Sequence, residues 1–435
     1  MKISIAAAGD MLIQRRINQQ TDEFNEVKNL LNKADARFIN LETTVHDGQF
    51  FANRFSGGSY LRISPQTLDD VKAYGFNILS FANNHSMDFS HAGLMETKKH
   101  VDNAGFVNAG AGANLDEAAA PNYLETKNGR VAIISVVSTM DSTIGSDEAI
   151  AGKQSRRFIG RPGVNGLRID EHLEVTKEQF DIIKEVAALS KINAQTDIER
   201  AEGYHPPLKE GTINLKNIKF NVSDKTRYIT HPNNEDMLRI EKAINVAKQQ
   251  ADCILISVHS HEISGDKKEN PADFLVEFAH KCIDAGANAV IGHGPHLLRP
   301  VEIYNNCPIF YSLGDFVIHN ECIPFAPEDM YASQGLTSDD TMPELFKKRS
   351  NNFTRGLMRD RRMLESVIAH FDFEDGKINN ITLTPIELNF DKAVWQSGNP
   401  RISYNHGIIE RLSDMSKAFN TKIELDEKGN GIIKI

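Results

Sequence analysis

Cysteine is scarce in this chain: four residues in 435 (Cys253, Cys282, Cys307 and Cys322), with no Cys-x-x-Cys spacing. That scarcity excludes a disulfide-stapled scaffold and a thiolate zinc module, and it leaves free thiols, Cys253 and Cys282 sitting in apolar runs. Long apolar runs are missing too. No stretch approaches the roughly 18 apolar residues of a membrane helix. The opening run Ile3–Ala8 is broken by Gly9-Asp10, short of the about 7–15 apolar residues of a signal peptide, so it reads as a first core strand. The expectation is a cytoplasmic protein without a membrane span. Excess positive charge is also absent. Asp and Glu outnumber Lys and Arg by 59 to 49, a net charge of −10, whereas a general nucleic-acid binder needs a basic surplus to displace counterions from phosphate.

What is present is an ordinary globular balance, 40% hydrophobic and 25% charged, enough for one large core with a satellite or for two domains. The charge is uneven. Residues 151–169 carry five basic residues and no acidic one, and 347–362 carry seven against Asp360. Surface solvation and anion recognition explain both stretches equally well.

Strands and helices alternate in the first hundred residues. Ile3–Ala8 and the segment 38–42 read as buried strands, Pro65 opens a helix that stops at Gly75, and a strand over 77–82 precedes a helix over 90–103. Asn128-Gly129 marks a hairpin between 123–126 and 130–137. Sheet periodicity is then lost over 141–233, read as an insertion or cap holding one helix over 176–189. The α/β rhythm resumes with a helix over 235–250, a strand over 253–258, a helix over 271–284 and strands to 312. Residues 326–360 read as irregular and polar, and a second hairpin flanks Asp375-Gly376. The expected division is a first half of the core at 1–140, the insertion at 141–233, a second half at 234–325, and a completing loop, hairpin and helix at 326–435.

Five apolar strands end on metal-ligand residue types: Ala8-Gly9-Asp10, Asn40-Leu41-Glu42, Asn83-Asn84-His85, Val258-His259-Ser260-His261-Glu262 and Gly292-His293-Gly294-Pro295-His296. In α/β sheets ligands bind beyond the carboxyl ends of strands. One such end is commonly a helix cap, but five in series form a constellation. Carboxylates, an amide and imidazoles together suit Mn, Fe or Zn. Asp315 and His319, after a further strand, read as loop solvation. The turn Gly160-Arg161-Pro162-Gly163-Val164-Asn165-Gly166-Leu167-Arg168 reads as a loop carrying guanidinium forks to a carboxylate or phosphate.

The order Gly-Asp, Asn-Leu-Glu, Asn-Asn-His, a strand-end His pair and Gly-His-x-Pro-His resembles the poly-γ-glutamate capsule-synthesis (CapA) family. So do Gly286-Ala287-Asn288-Ala289-Val290-Ile291-Gly292-His293 and the run from Pro308 to Phe316. The likeness covers about 1–140 and 235–320, and more weakly 360–435. It implies an α/β fold, the calcineurin-like metallophosphoesterase sandwich of α/β/β/α layers with an inserted cap. It further implies Asp10 as a terminal metal ligand, Glu42 in the bridging position, and Asn84, His259 and His293 on a second metal. His85 would protonate the leaving group or hydrogen-bond the scissile group. His296 would complete the first metal site or act as a base toward substrate. His261 extends the fourth motif as a ligand, an acid/base or a supporting group, and Glu262 could orient a histidine. Two departures matter: Leu12 stands where such phosphoesterases carry His, and Gly-His-x-x-His replaces Gly-His-x-His. The expectation is therefore one firm metal site on Glu42, Asn84, His259 and His293, with a second weak or absent. The implied function is metal-assisted hydrolysis or transfer at an amide or ester of an acidic polymer or peptide, with Arg161, Arg168 and Glu262 toward substrate. Two alternatives are epimerisation of a peptide α-carbon by His85 and His296, and a non-catalytic polymer-binding role in capsule synthesis.

Overall fold

Alternation along the first strand, Lys2–Leu12, already sorts the interior. Ile3, Ile5 and Ala7 enter one apolar cluster, and Ala6 and Ala8 enter another. A strand buried on both faces needs apolar residues at every position, which is why this one reads as a continuous run. The computed structural model describes residues 2–140, 148–393 and 395–435, a mixed α/β chain with several mixed sheets.

The first strand lies inside a ten-stranded sheet. It pairs in parallel with Ala36–Leu41 and Asp315–Ile318, and antiparallel with Glu365–Glu374. A six-stranded sheet runs in the order Leu298–Tyr304, Cys307–Leu313, Ala289–His293, Cys253–His259, Gly129–Val137 and Asn122–Thr126. The largest apolar cluster takes Ile5 and Phe38 from the first sheet and Ile133, Leu255 and Ile291 from the second. The other face of the first sheet packs Ile39 and Leu79 with Phe24 and Val27 of the helix Asp22–Leu31. The outer face of the second packs Ile254 and Ile256 with Ile240 of the helix Asn234–Ala247 and Phe278 of the helix Asp273–Ala285. Thr21 and Asn233 cap the first two of these helices through their side chains, and Gly286, at φ 116°, ends the third in the left-handed region that favours glycine.

Both hairpins form, between Asn122–Thr126 and Gly129–Val137 and between Glu365–Glu374 and Lys377–Glu387. Two expectations are corrected. The segment over 141–233, of which 141–147 lie outside the described residues, does not lack sheet structure. It holds a four-stranded sheet in the order Thr212–Leu215, Ile218–Val222, Ile169–Val175 and Arg227–Pro232, a short strand Gly163–Val164 paired with Ala111–Gly112, and helices Lys177–Ser190 and Ala194–Ala201. Its strands carry charge on exposed faces (Ile-Asp-Glu-His-Leu-Glu-Val) around a core of Val175, Phe180 and Phe220, so apolar alternation is faint. The stretch over 326–360 is not wholly irregular either: it includes helices Glu328–Ala332 and Met342–Arg349, the second opened by a Thr341/Glu344 capping box. No helix among the described residues is long and apolar enough to cross a membrane.

One close approach positions the chemistry. A Cβ on Gly9 would lie 1.8 Å from the carbonyl oxygen of Gly314, so only glycine lets the two chains close. The Asp10 amide then donates to that carbonyl at 3.0 Å, and Asp10 sits in register with both Asn40 and Asp315.

Candidate metal centre

Parallel pairing places His259 beside His293 at the ends of adjacent strands, and Asp10 reaches them from the other large sheet. Asp10 Oδ1 is 3.3 Å from His293 Nδ1 and 3.7 Å from His259 Nδ1. The Asn40 amide donates to Asp10 Oδ1 at 2.7 Å, and the Gly294 amide to Oδ2 at 2.7 Å. Ser257 Oγ meets His293 Nε2 at 2.8 Å, which turns the other ring nitrogen toward Asp10. The chain leaves the strand at His259 yet folds back, so that His261 Nε2 lies 3.0 Å from His259 Nε2.

Glu42 is fully buried, and neither carboxylate oxygen has a hydrogen-bond partner. Its Oε1 stands 3.9 Å from the Nε2 atoms of His85, His259 and His296 alike. Those separations exceed a hydrogen bond and suit a cation gripped from several sides. Asn84 Oδ1 and Asp315 Oδ2 are likewise buried without partners. A buried carboxylate left with two free oxygens costs folding free energy, and a metal would satisfy both. Three groups of residues bring one ligand atom each within 4.8 Å of one another: Asp10–His259–His293, Glu42–His259–His261 and Asp10–Glu42–His296. This buried cluster can hold a metal ion.

The electrostatics agree with that reading. Burial, then the charges of Asp10 and Asp315, push the Glu42 carboxyl well above the ordinary range. Burial also raises Asp10, but the His293 hydrogen bond and the surrounding imidazoles outweigh it and hold Asp10 below its usual value. Burial drives His259 and His261 well below theirs, leaving neutral imidazoles with lone pairs to offer.

Two histidines are held from behind by carboxylates. His85 Nδ1 lies 2.7 Å from Asp88 Oδ2, and His296 Nδ1 lies 2.9 Å from Asp315 Oδ1. The Asp88 carboxylate is fixed in turn by amides of Leu61 and Gly57. The residue added between the last two histidines is absorbed by left-handed backbone, with Gly294 at φ 117° and His296 at φ 59°, so His296 still reaches the cluster. Asp315 is therefore not loop solvation: it is 1% exposed, and burial pushes it up to about 6 against the pull of His296. His319 is buried too, its Nε2 2.9 Å from Asn399 Oδ1.

Other expectations are also redrawn. Glu42 and His293 do not share a ligand group: His293 falls with Asp10 and His259, and Glu42 with His259 and His261 or with Asp10 and His296. Asn84 keeps its amide on the Gly57 carbonyl at 3.1 Å, with the oxygen free to coordinate. Glu262 accepts from Ser138, Thr139 and Ser260 hydroxyls at 2.8–3.0 Å and, among the described residues, hydrogen-bonds no histidine ring. Arg168 is spent on Asp236 at 2.9 Å, and Arg161 on the Ile150 carbonyl at 2.9 Å. Neither lines the cavity at the imidazoles, whose cations come instead from Lys268, Arg349, Arg355 and Arg359. The basic run over 347–362 was the signal for three of them. Leu12 lines the same cavity. Beneath it, the fully buried Arg299 donates to the carbonyls of Ser260, His261 and Lys268 at 3.0–3.3 Å.

Comparisons with known proteins bear on this arrangement. Residues 4–320 match the family described as bacterial capsule synthesis protein PGA_cap. An uncharacterized protein of Sinorhizobium fredii, y4sH, is 31% identical over 99% of this chain and 93% of its own length. The capsule biosynthesis protein CapA of Bacillus anthracis is 24% identical over 73% of this chain and 60% of its own. A probable polyglutamine synthesis accessory protein of Mycobacterium tuberculosis is 27% identical over 65% of this chain and 55% of its own. Among solved structures, a putative 5'-nucleotidase from Staphylococcus aureus aligns with a TM-score of 0.37 at 8% identity, over 96% of this chain and 58% of that one.

Proposed function

Because the chain belongs to the bacterial capsule synthesis family PGA_cap, we propose that it is a metal-dependent hydrolase or transferase acting on an amide or ester of an acidic, polyglutamate-like chain. The observation that carries this reading is Glu42: a buried carboxylate with two free oxygens, equidistant from three imidazole nitrogens. Asp10, Glu42, His259, His261 and His293 would hold a divalent ion of the Mn, Fe or Zn type, with Asn84 Oδ1 available to it. Such an ion polarises an acyl carbonyl and eases deprotonation of a nucleophile. The chain's own residues supply proton traffic. His85, backed by Asp88, offers Nε2 to the leaving group, and His296, backed by Asp315, offers Nε2 to the attacking group.

The layered reading, helices on sheet on sheet on helices as in calcineurin-like metallophosphoesterases, is supported by the apolar cluster shared between the two large sheets. The unit within 141–233 is an inserted cap between core halves at 1–140 and 234–325, completed by 326–435. The compartment is cytoplasmic.

Elemental analysis of wild type against His259→Ala, with turnover of a γ-glutamyl amide beside an aryl phosphate, tests the proposal. Metal retained by the variant, or no amide cleavage by metal-loaded wild type, would sink it. The paired dyads favour one second reading, in which His85 removes an α-proton and His296 returns one to the opposite face. Solvent deuterium entering the α-carbon without bond cleavage would select epimerisation.

A further inference from the structure

The basic stretch over 151–169 is only partly absorbed by the fold. Arg161 and Arg168 turn inward onto the Ile150 carbonyl and Asp236, whereas Lys153, Arg156 and Arg157 stand exposed. Among the described residues no carboxylate lies within 4.0 Å of these three, and the sequence holds no acidic residue between Glu148 and Asp170. Beside the cations stand Phe158, 77% exposed, and Ile159, 91% exposed. Among the described residues no other large apolar side chain is as exposed as Ile159, and no other two such exposed side chains are adjacent in sequence.

A slack loop would fold such a pair back against the protein to shed water. This one is braced outward. The Gly152 amide donates to the Arg161 carbonyl at 2.8 Å and closes the base. A Cβ on Gly160 would lie 2.4 Å from Asn114 Cβ and 2.6 Å from the Gly152 carbonyl oxygen, so the base is seated tightly on the body. At the tip the Ser155 amide donates to the Phe158 carbonyl at 3.0 Å. Ser155 Oγ accepts from the amides of Arg157 and Phe158 at 3.3 and 3.1 Å. The turn is bonded within itself, and its two apolar side chains are presented to solvent.

We infer that the tip over 153–159 is an interfacial anchor, which inserts Phe158 and Ile159 into a phospholipid surface bearing anionic headgroups. Size and charge choose that partner. Two adjacent side chains on a protrusion offer far less than the roughly 800 Å² per partner of a standard protein interface. A bilayer asks only for apolar groups pushed about 5–10 Å into the headgroup boundary, with cations at headgroup level. The chain as a whole, at a net charge of −10, is repelled by an anionic surface, and an acid-free stretch is a side that can approach one. A single weak signal does not hold a protein on a membrane, so the apolar pair and the cations act together. The anchor asks nothing of the reaction at the metal centre.

The test is cosedimentation of the full metal-loaded chain with vesicles of phosphatidylcholine, alone or mixed with phosphatidylglycerol. Wild type binds the mixed vesicles at least about tenfold more tightly than the neutral ones, and high salt removes the difference. Phe158→Ser with Ile159→Ser, and separately Arg156→Glu with Arg157→Glu, each weaken binding by about tenfold or more. Metal content and the circular dichroism spectrum stay at wild-type values, which separates lost grip from lost fold. Insertion is read directly in Phe158→Trp built on Trp395→Phe, whose emission shifts to the blue on mixed vesicles and is quenched by lipids brominated along the acyl chain. Equal binding to both kinds of vesicle, binding unchanged by the serine pair, or an emission that vesicles leave unmoved overturns the anchor. So does a lipid-free dimer that the serine pair dissolves, which would give the tip to a second copy of the chain.

Discussion

The strand-tip cluster and the four-stranded unit over 169–232 treat polar groups in opposite ways. In the unit, charges pair at the surface, Arg227 with Glu174 and Lys177 with Asp181, around a core of Val175, Phe180 and Phe220. In the cluster, Glu42 is buried with both oxygens unpaired, beside His259, whose pKa burial drives down. The difference teaches where unfavourable chemistry can be housed. Two large sheets and their helices bury enough apolar surface to offset a set of polar groups arranged for a ligand, and a three-residue core does not. Perturbed groups gathered in a cleft are the usual mark of a working site.

The sharpest way to break that contrast is to damage each core in turn. Phe278→Ala removes a fully buried ring from the large core and should cost about 3–5 kcal/mol, whereas Phe180→Ala, 9% exposed in its small cluster, should cost about half as much. Urea titrations of both variants check this. If Phe180→Ala also lowers metal content, the two regions are one cooperative body and the contrast fails.

Next comes a half-buried group with no place in the cluster. Burial lowers His370 from 6.5 to about 4, its Nδ1 lacking a partner. The folded state therefore binds fewer protons than the unfolded state between those values. This contribution is complete above about pH 6.5 and is lost as pH falls toward 4, the loss reaching about 2.5 kcal/mol at pH 4.5. Replacing His370 with Gln should flatten that part of the urea-midpoint profile.

A smaller effect of opposite sign is expected inside the cluster. Glu42→Gln relieves a buried carboxylate in the metal-free protein and should raise its stability by about 1–2 kcal/mol, while abolishing the rise in melting temperature that added metal gives wild type. A variant less stable than metal-free wild type would show that Glu42 has partners other than a cation. Smallest of all, Asp181→Asn breaks an exposed pair with Lys177 and should shift stability by less than about 0.5 kcal/mol.

The strand tips were legible because each couples an apolar run to a ligand residue, a one-dimensional pattern. Their grouping was not. Which of Asp10 and Glu42 faces His293 depends on how two sheets meet, and that is fixed by contacts such as Gly9 on Gly314, far apart in sequence. Asp88 lies three residues after His85 and could have been proposed from spacing, but Asp315 reaches His296 only through a left-handed turn. The run over 347–362 announced charge without direction, whereas Arg161 and Arg168 looked like substrate forks until their partners, Ile150 and Asp236, were in view. Polar strands over 169–232 hid a sheet because their exposed faces carry charge where alternation would otherwise show.

Arg299 has a consequence for how this centre can diversify. One guanidinium suspends the main chain at Ser260, His261 and Lys268, so the backbone under His261 and under Lys268 hangs from one hidden strut. The two positions then cannot drift independently: exchanging the strut moves both.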